Sequence, residues 1–189
     1  MDLLISTLFV MLTCCYRDAE TRKYRSVLTV PNGAPWGTWG KPQFCTKGYA
    51  NGFTLKVQAY QGPQAWNDDT SLNAIGLLCN DGQTISSSIG PFGAWTKPEM
   101  CPKGNLIGFS LRVEGELGPV VDDSAADNIR FNCDEGYVLT GQSREWGSFG
   151  KWSPSCIVGA ICGIQTKVQL EKGTGDDTGL NDVKFFCCD

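Results

Sequence analysis

Three pairs of adjacent carboxylates, Asp68-Asp69, Asp122-Asp123 and Asp176-Asp177, recur in this chain at a single offset of 54 residues. Carboxyl groups could cut or transfer a sugar bond, chemistry that places two of them about 5–9.5 Å apart on either side of that bond. Neighbours in an extended segment point to opposite faces, so no one pair can do this work alone. A catalytic arrangement would have to combine carboxylates from different repeats. The structural reading takes precedence: Asp69, Asp123 and Asp177 cap turns through Thr70, Ser124 and Thr178, and neutralise the recurrent Lys56, Arg112 and Lys167. A calcium site would need six to eight oxygens, and the loops hold no further acidic cluster. No metal or other cofactor is expected.

Aromatic side chains come next, because indole and phenol faces stack on the apolar faces of sugar rings. Trp36-Gly37-Thr38-Trp39, Phe92-Gly93-Ala94-Trp95 and Phe149-Gly150-Lys151-Trp152 share an aromatic-Gly-x-aromatic spacing, with Trp146 close by. Recurrence at the same place in every repeat points to core packing, since a single binding site would break the symmetry. Tyr60 and Trp66 do break it. They lie between Val57 and Asp68, and the matching segments (Glu114 to Val121, Gln169 to Gly175) carry no aromatic residue. Together with the amides of Gln61, Gln64 and Asn67 they suit a neutral sugar. The carbohydrate-binding candidates are therefore Tyr60, Trp66, Asp68, Asp69, Asp123 and Asp177.

Cysteine usage sets the compartment. Residues 1–19 contain the apolar run Leu3 to Cys15, followed by polar Tyr16-Arg17-Asp18-Ala19, and read as a secretion signal. Its removal takes Cys14 and Cys15 with it and leaves eight of the ten cysteines, an even number that reads as four disulfides. Repeat equivalence pairs Cys45 with Cys79, Cys101 with Cys133 and Cys156 with Cys187, leaving Cys162 for Cys188; the last two bridges could exchange partners. The formal net charge of −4 argues against nucleic acid. The absence of histidine excludes Ser-His-Asp and Cys-His catalysis and histidine metal ligation. Beyond the signal no segment is long and apolar enough to span a membrane with a helix.

The elements that must hold these residues are short strands. Tyr24 to Val30 alternates and breaks at Pro31-Asn32-Gly33. The segment Cys45 to Val57 returns position by position as Cys101 to Val113 and, with Cys162 added, as Cys156 to Val168. Three repeats follow, at about 24–79, 82–133 and 136–188, each offering about four strands and no helical period. One four-stranded sheet cannot bury its apolar face alone, so three must pack around a pseudo-threefold axis in a single all-β domain, residues 20–189, as a monomer.

The three repeats, the Trp36-Gly37-Thr38-Trp39 type motifs, the Asp-Asp-Thr segments and the closing Cys187-Cys188 resemble the vitelline membrane outer layer protein 1 family, from about Tyr24 to Cys188. The resemblance implies a β-prism of three four-stranded Greek-key sheets. It also implies a secreted protein of the kind found in the outer layer of the egg's vitelline membrane. The function expected here is that of a structural, carbohydrate-interacting protein of egg coats or mucosal secretions, with glycans or coat and mucin components as partners. A weak lysozyme-like transfer of N-acetylchito-oligosaccharides is the alternative function it implies.

Overall fold

The computed structural model describes residues 22–60, 62, 70–114, 126–170 and 178–189. These residues form fourteen strands and no helix: β1 (Ser26–Leu28), β2 (Thr38–Trp39), β3 (Gln43–Phe44), β4 (Ala50–Val57), β5 (Leu72–Cys79), β6 (Thr84–Ile85), β7 (Ala94–Trp95), β8 (Glu99–Met100), β9 (Leu106–Val113), β10 (Ala126–Cys133), β11 (Val138–Thr140), β12 (Ser148–Phe149), β13 (Ala160–Val168) and β14 (Leu180–Cys188). The long strands are the paired apolar runs of each repeat. The short ones, β8 apart, each carry a β-branched or aromatic residue between Gly, Pro and Asn breaks.

Three antiparallel sheets result, ordered β6-β5-β4-β7, β11-β10-β9-β12 and β1-β14-β13-β2, with β8 and β3 as further short pairings on β4 and β13. Each sheet is a Greek key, a long hairpin flanked by the third strand on one edge and the fourth on the other. The expected β-prism is therefore present, but its sheets do not coincide with the sequence repeats. Each hairpin takes its flanking strands from the next repeat along the chain. For β13 and β14 no later repeat exists, and the N-terminal β1 and β2 fill the places instead. Ser26 pairs with Cys187, and the Arg25 N–H donates to the Cys187 carbonyl at 2.7 Å.

Alternation on the long strands fixes what faces inward. Phe53, Leu55, Ile75 and Leu77 of the first sheet, Phe109, Leu111, Ile129 and Phe131 of the second, and Ile164, Val183 and Phe185 of the third are all fully buried. Rings meet across sheets on the axis: Phe53 to Phe131 at 4.7 Å, Phe109 to Phe185 at 4.8 Å and Phe131 to Phe185 at 5.1 Å between centroids. Burying each such side chain stabilises the fold by about 1.5–3 kcal/mol.

Four disulfides tie the entry of a long strand to the end of its partner: Cys45–Cys79, Cys101–Cys133, Cys156–Cys187 and Cys162–Cys188. These are the pairs that repeat equivalence proposes. Each closes a loop of 26 to 34 residues, for which the chain-entropy account gives about 2–4 kcal/mol of stabilisation.

The third aromatic motif needs a correction. The segment equivalent to Trp36–Trp39 and Phe92–Trp95 is Trp146-Gly147-Ser148-Phe149, three residues before Phe149-Gly150-Lys151-Trp152. Gly37, Gly93 and Gly147 share a left-handed φ of 78°, 83° and 63°. A Cβ on Gly147 would lie 2.2 Å from the Val113 carbonyl oxygen, just as one on Gly93 would lie 2.3 Å from that of Val57. Only glycine fits there. Gly150 matches Gly40 and Thr96 instead, whose N–H groups likewise donate into the neighbouring long strand.

A candidate carbohydrate platform between two sheets

Gln58, Ala59 and Tyr60 continue β4 past its last ladder pair, Val57 with Leu72. Tyr60 emerges 55% exposed. At its position the other repeats carry Glu116 and Glu171, so the phenol ring is peculiar to the first repeat. Trp146 reaches the same place from the connector between β11 and β12, held by the turn at Gly147, and its ring is 36% exposed. The two rings meet edge-on, with centroids 5.6 Å apart and planes at 87°.

Arg144 locks the pair. Its guanidinium carbon lies 4.4 Å from the Trp146 centroid and 5.3 Å from that of Tyr60, and Nη2 donates to the Gln58 carbonyl at 3.2 Å. A cation over two ring faces is favourable where water is partly excluded, and here it fixes the connector of the second sheet to the exit of the first. The result is a rigid, exposed L of two rings beside hydrogen-bonding groups, a surface that can stack against a sugar ring.

The strand exits carry a second, purely structural arrangement. Thr70 accepts from Asn73 Nδ2 at 2.6 Å, and its N–H and hydroxyl both donate to Gln58 Oε1. In the third repeat Thr178 accepts from Asn181 Nδ2 at 2.8 Å and donates to Gln169 Oε1. The threonine and asparagine of the repeated segment thus close the mouths of the first and third long hairpins in a buried polar knot, which spacing alone did not single out. Thr70 and Gly179 also sit side by side, since a Cβ on Gly179 would meet the Thr70 carbonyl oxygen at 2.8 Å. The mouths of two sheets therefore open at one end of the molecule.

Of the sequence candidates, Tyr60 lies on this platform, whereas Trp66, Asp68, Asp69, Asp123 and Asp177 lie outside the described residues, as do Gln61, Gln64 and Asn67. Trp146, read from spacing as one of a symmetric core set, is the ring Tyr60 touches. Two of the three recurrent cations, the lysines, have carbonyl partners of their own. Lys56 Nζ donates to the Gly90 and Pro91 carbonyls at 2.8 and 2.9 Å, and Lys167 Nζ to those of Ala34 and Pro35.

The expected core packing of the aromatic motifs does not hold. Trp36, Trp39, Phe92 and Phe149 are half-buried and Trp95 is exposed. The reason is register: Trp39, Trp95 and Phe149 pair with Lys167, Lys56 and Arg112, residues that alternate outward on the long strands. The axis is already filled by the long strands' own side chains.

Among the described carboxyls, that of Asp182 is held above its usual range. Burial is the main cause, opposed by the hydrogen bond from the Val183 N–H and by the charges of Lys167 and Lys184. No group of three or more potential metal ligands occurs among the described residues.

Comparison with known proteins bears on the whole chain. The sequence model of the family described as Vitelline membrane outer layer protein I (VOMI) matches residues 26–189. The human vitelline membrane outer layer protein 1 homolog is 44% identical over 184 residues, covering 93% of this chain and 89% of the relative. The mouse homolog is 41% identical over 187 residues, covering 92% and 91%. Among solved structures, the agglutinin of Calystegia sepium superposes with a TM-score of 0.55 at 14% identity, covering 87% of this chain and 97% of the lectin. Artocarpin in complex with mannotriose gives 0.53 at 10% identity, with 87% and 98% covered.

Proposed function

Because this chain belongs to the vitelline membrane outer layer protein I family, we propose that it is a secreted structural protein of an egg outer layer or mucosal secretion that binds neutral, N-acetylglucosamine-type oligosaccharides. The observation that carries the reading is the exposed, Arg144-locked pair of Tyr60 and Trp146, built once in a molecule that is otherwise threefold. A scaffold repeats, whereas a site needs an asymmetry that a scaffold does not. Trp66, in the segment that follows Tyr60, belongs to the same platform in this reading, and Asp68 and Asp69 supply acceptors for sugar hydroxyls.

Two further facts support it. Four disulfides among eight cysteines fit an oxidising, extracellular setting. The β-prism holds a sugar in another protein, since artocarpin has been solved with mannotriose. The partners in this reading are polymeric glycans, or coat and mucin proteins that carry them, and the protein acts as a monomer.

Isothermal titration with N-acetylchito-oligosaccharides tests the proposal. Tyr60→Ala, Trp66→Ala and Trp146→Ala are each expected to weaken binding by about 1–3 kcal/mol, the loss typical of an aromatic anchor, with the melting temperature nearly unchanged. Trp39→Ala is expected to bind as the parent does. Undiminished binding by all three platform variants would sink the reading.

A further inference from the structure

The outer face of the second sheet carries two guanidinium groups against one ring. Arg112 on β9 and Arg130 on β10 both alternate outward, and their guanidinium carbons lie 4.7 and 4.4 Å from the Phe149 centroid. Arg130 is also 4.6 Å from the Trp152 ring. Nε and Nη1 of Arg112 and Nε of Arg130 are buried with no hydrogen-bond partner. Neither guanidinium has a carboxylate within ion-pair distance among the described residues. Two like charges are thus held together on a partly dehydrated surface, with no carboxylate among the described residues to balance them.

The other two sheets resolve the same geometry differently. On the third, the places of Arg112 and Arg130 are taken by Lys167 and Lys184; Lys167 donates to loop carbonyls, and both feel the charge of Asp182. On the first, Lys56 donates to loop carbonyls and Gly76 removes the second charge altogether. Asn128 stands on the second sheet where the third has Asp182, so the local carboxylate is missing as well. Among the described residues, only the second sheet combines two planar cations and two aromatic rings with no paired carboxylate.

From this juxtaposition we infer a second glycan site, for a sulfated saccharide, centred on Arg112, Arg130, Phe149 and Trp152. A guanidinium is a planar fork that can engage an oxyanion through parallel hydrogen bonds, here from the nitrogens other than the buried Nε and Nη1 of Arg112 and Nε of Arg130. Phe149 and Trp152 supply the apolar faces that a sugar ring needs and a bare anion does not. The site shares no residue with the Tyr60–Trp146 platform and stands whether or not that platform binds neutral sugar.

Titration of the full-length mature protein with chondroitin sulfate oligosaccharides, beside N-acetylchito-oligosaccharides and inorganic sulfate, tests it. The parent is expected to bind the sulfated oligosaccharide with an affinity that falls as salt is raised. Arg130→Gln is expected to lose at least tenfold in that affinity while its chito-oligosaccharide binding stays at the parent's level. Should Arg130→Gln lower the melting temperature, Arg112→Lys serves instead, since lysine occupies that place in the other two sheets; the loss of the planar fork is again expected to weaken binding of the sulfated oligosaccharide. Binding by both variants at the parent's affinity overturns the proposal. So does displacement by inorganic sulfate at an equal sulfate concentration, which would leave a simple anion site with no part for the sugar.

Discussion

Arg25, just ahead of the first described strand, and Asp189, the last residue, form an ion pair: Nη2 lies 2.5 Å and Nε 2.6 Å from the same carboxylate oxygen. The hydrogen bond from Arg25 holds the Asp189 carboxyl below its usual range, and the same bond raises the guanidinium. The side chains are 73% and 48% exposed, so water and salt screen the pair heavily.

A depressed carboxyl adds stability that is present above its unfolded pKa and lost as pH falls through its folded one. Asp189→Asn is therefore expected to lower the melting temperature at pH 7 by no more than about 2 °C. The difference should vanish at pH 2 and in 1 M salt. Thermal melts under the three conditions check this, and a drop of more than about 5 °C at pH 7 would mean that the pair fastens the ends of the fold.

Asp182 has the opposite sign. Its folded pKa is raised by burial, so its contribution is most favourable below the unfolded carboxylate pKa and is lost as pH rises through the folded value. Asn128 occupies the same place in the second repeat and accepts from the Ile129 N–H at 2.8 Å, the bond that Asp182 accepts from Val183. Asp182→Asn keeps that bond and removes the buried charge, and is expected to raise the melting temperature at pH 7 by about 1–2 °C. The gain should shrink towards pH 3. A loss of stability at pH 7 would show that attraction to Lys167 and Lys184 outweighs burial.

Phe131 touches Phe53, Phe109 and Phe185 on the axis, while Leu77 fills the equivalent place in the first sheet. Phe131→Ala is expected to cost about 3–5 kcal/mol in a denaturant titration. Phe131→Leu should cost about 1–1.5 kcal/mol, because the threefold packing accepts leucine at this level. Equal losses would mean that the four rings act as one unit that leucine cannot enter.

The prism was legible because its determinants are local and printed three times: alternating apolar residues on the long strands, glycine breaks, and cysteines at matching places. What a period cannot convey is where its unit begins. The hairpin that opens each sheet starts in mid-repeat, and only strand pairing reveals that β6 and β7 belong with β4 and β5. The third aromatic motif was misread for a similar reason. Trp146-Gly147-Ser148-Phe149 and Phe149-Gly150-Lys151-Trp152 overlap and both fit the spacing, and the left-handed turn at Gly147 distinguishes them. Tyr60 could be found because its counterparts, Glu116 and Glu171, are not aromatic. Trp146 and Arg144 could not be joined to it from spacing, since they arrive from another sheet more than eighty residues along the chain.

The pairing of β1 with β14 sets a timetable for synthesis. A ribosome delivers β1, β2 and β3 first and the hairpin they must join last, so two sheets can close while the chain is still growing and the third cannot. Until then, the earliest strands wait beside an unfinished edge, exposed to mispairing of the kind that long-range β-contacts invite. A gene reordered to begin just before β4, with the old ends spliced together, would make all three Greek keys continuous and let each sheet form as it emerges.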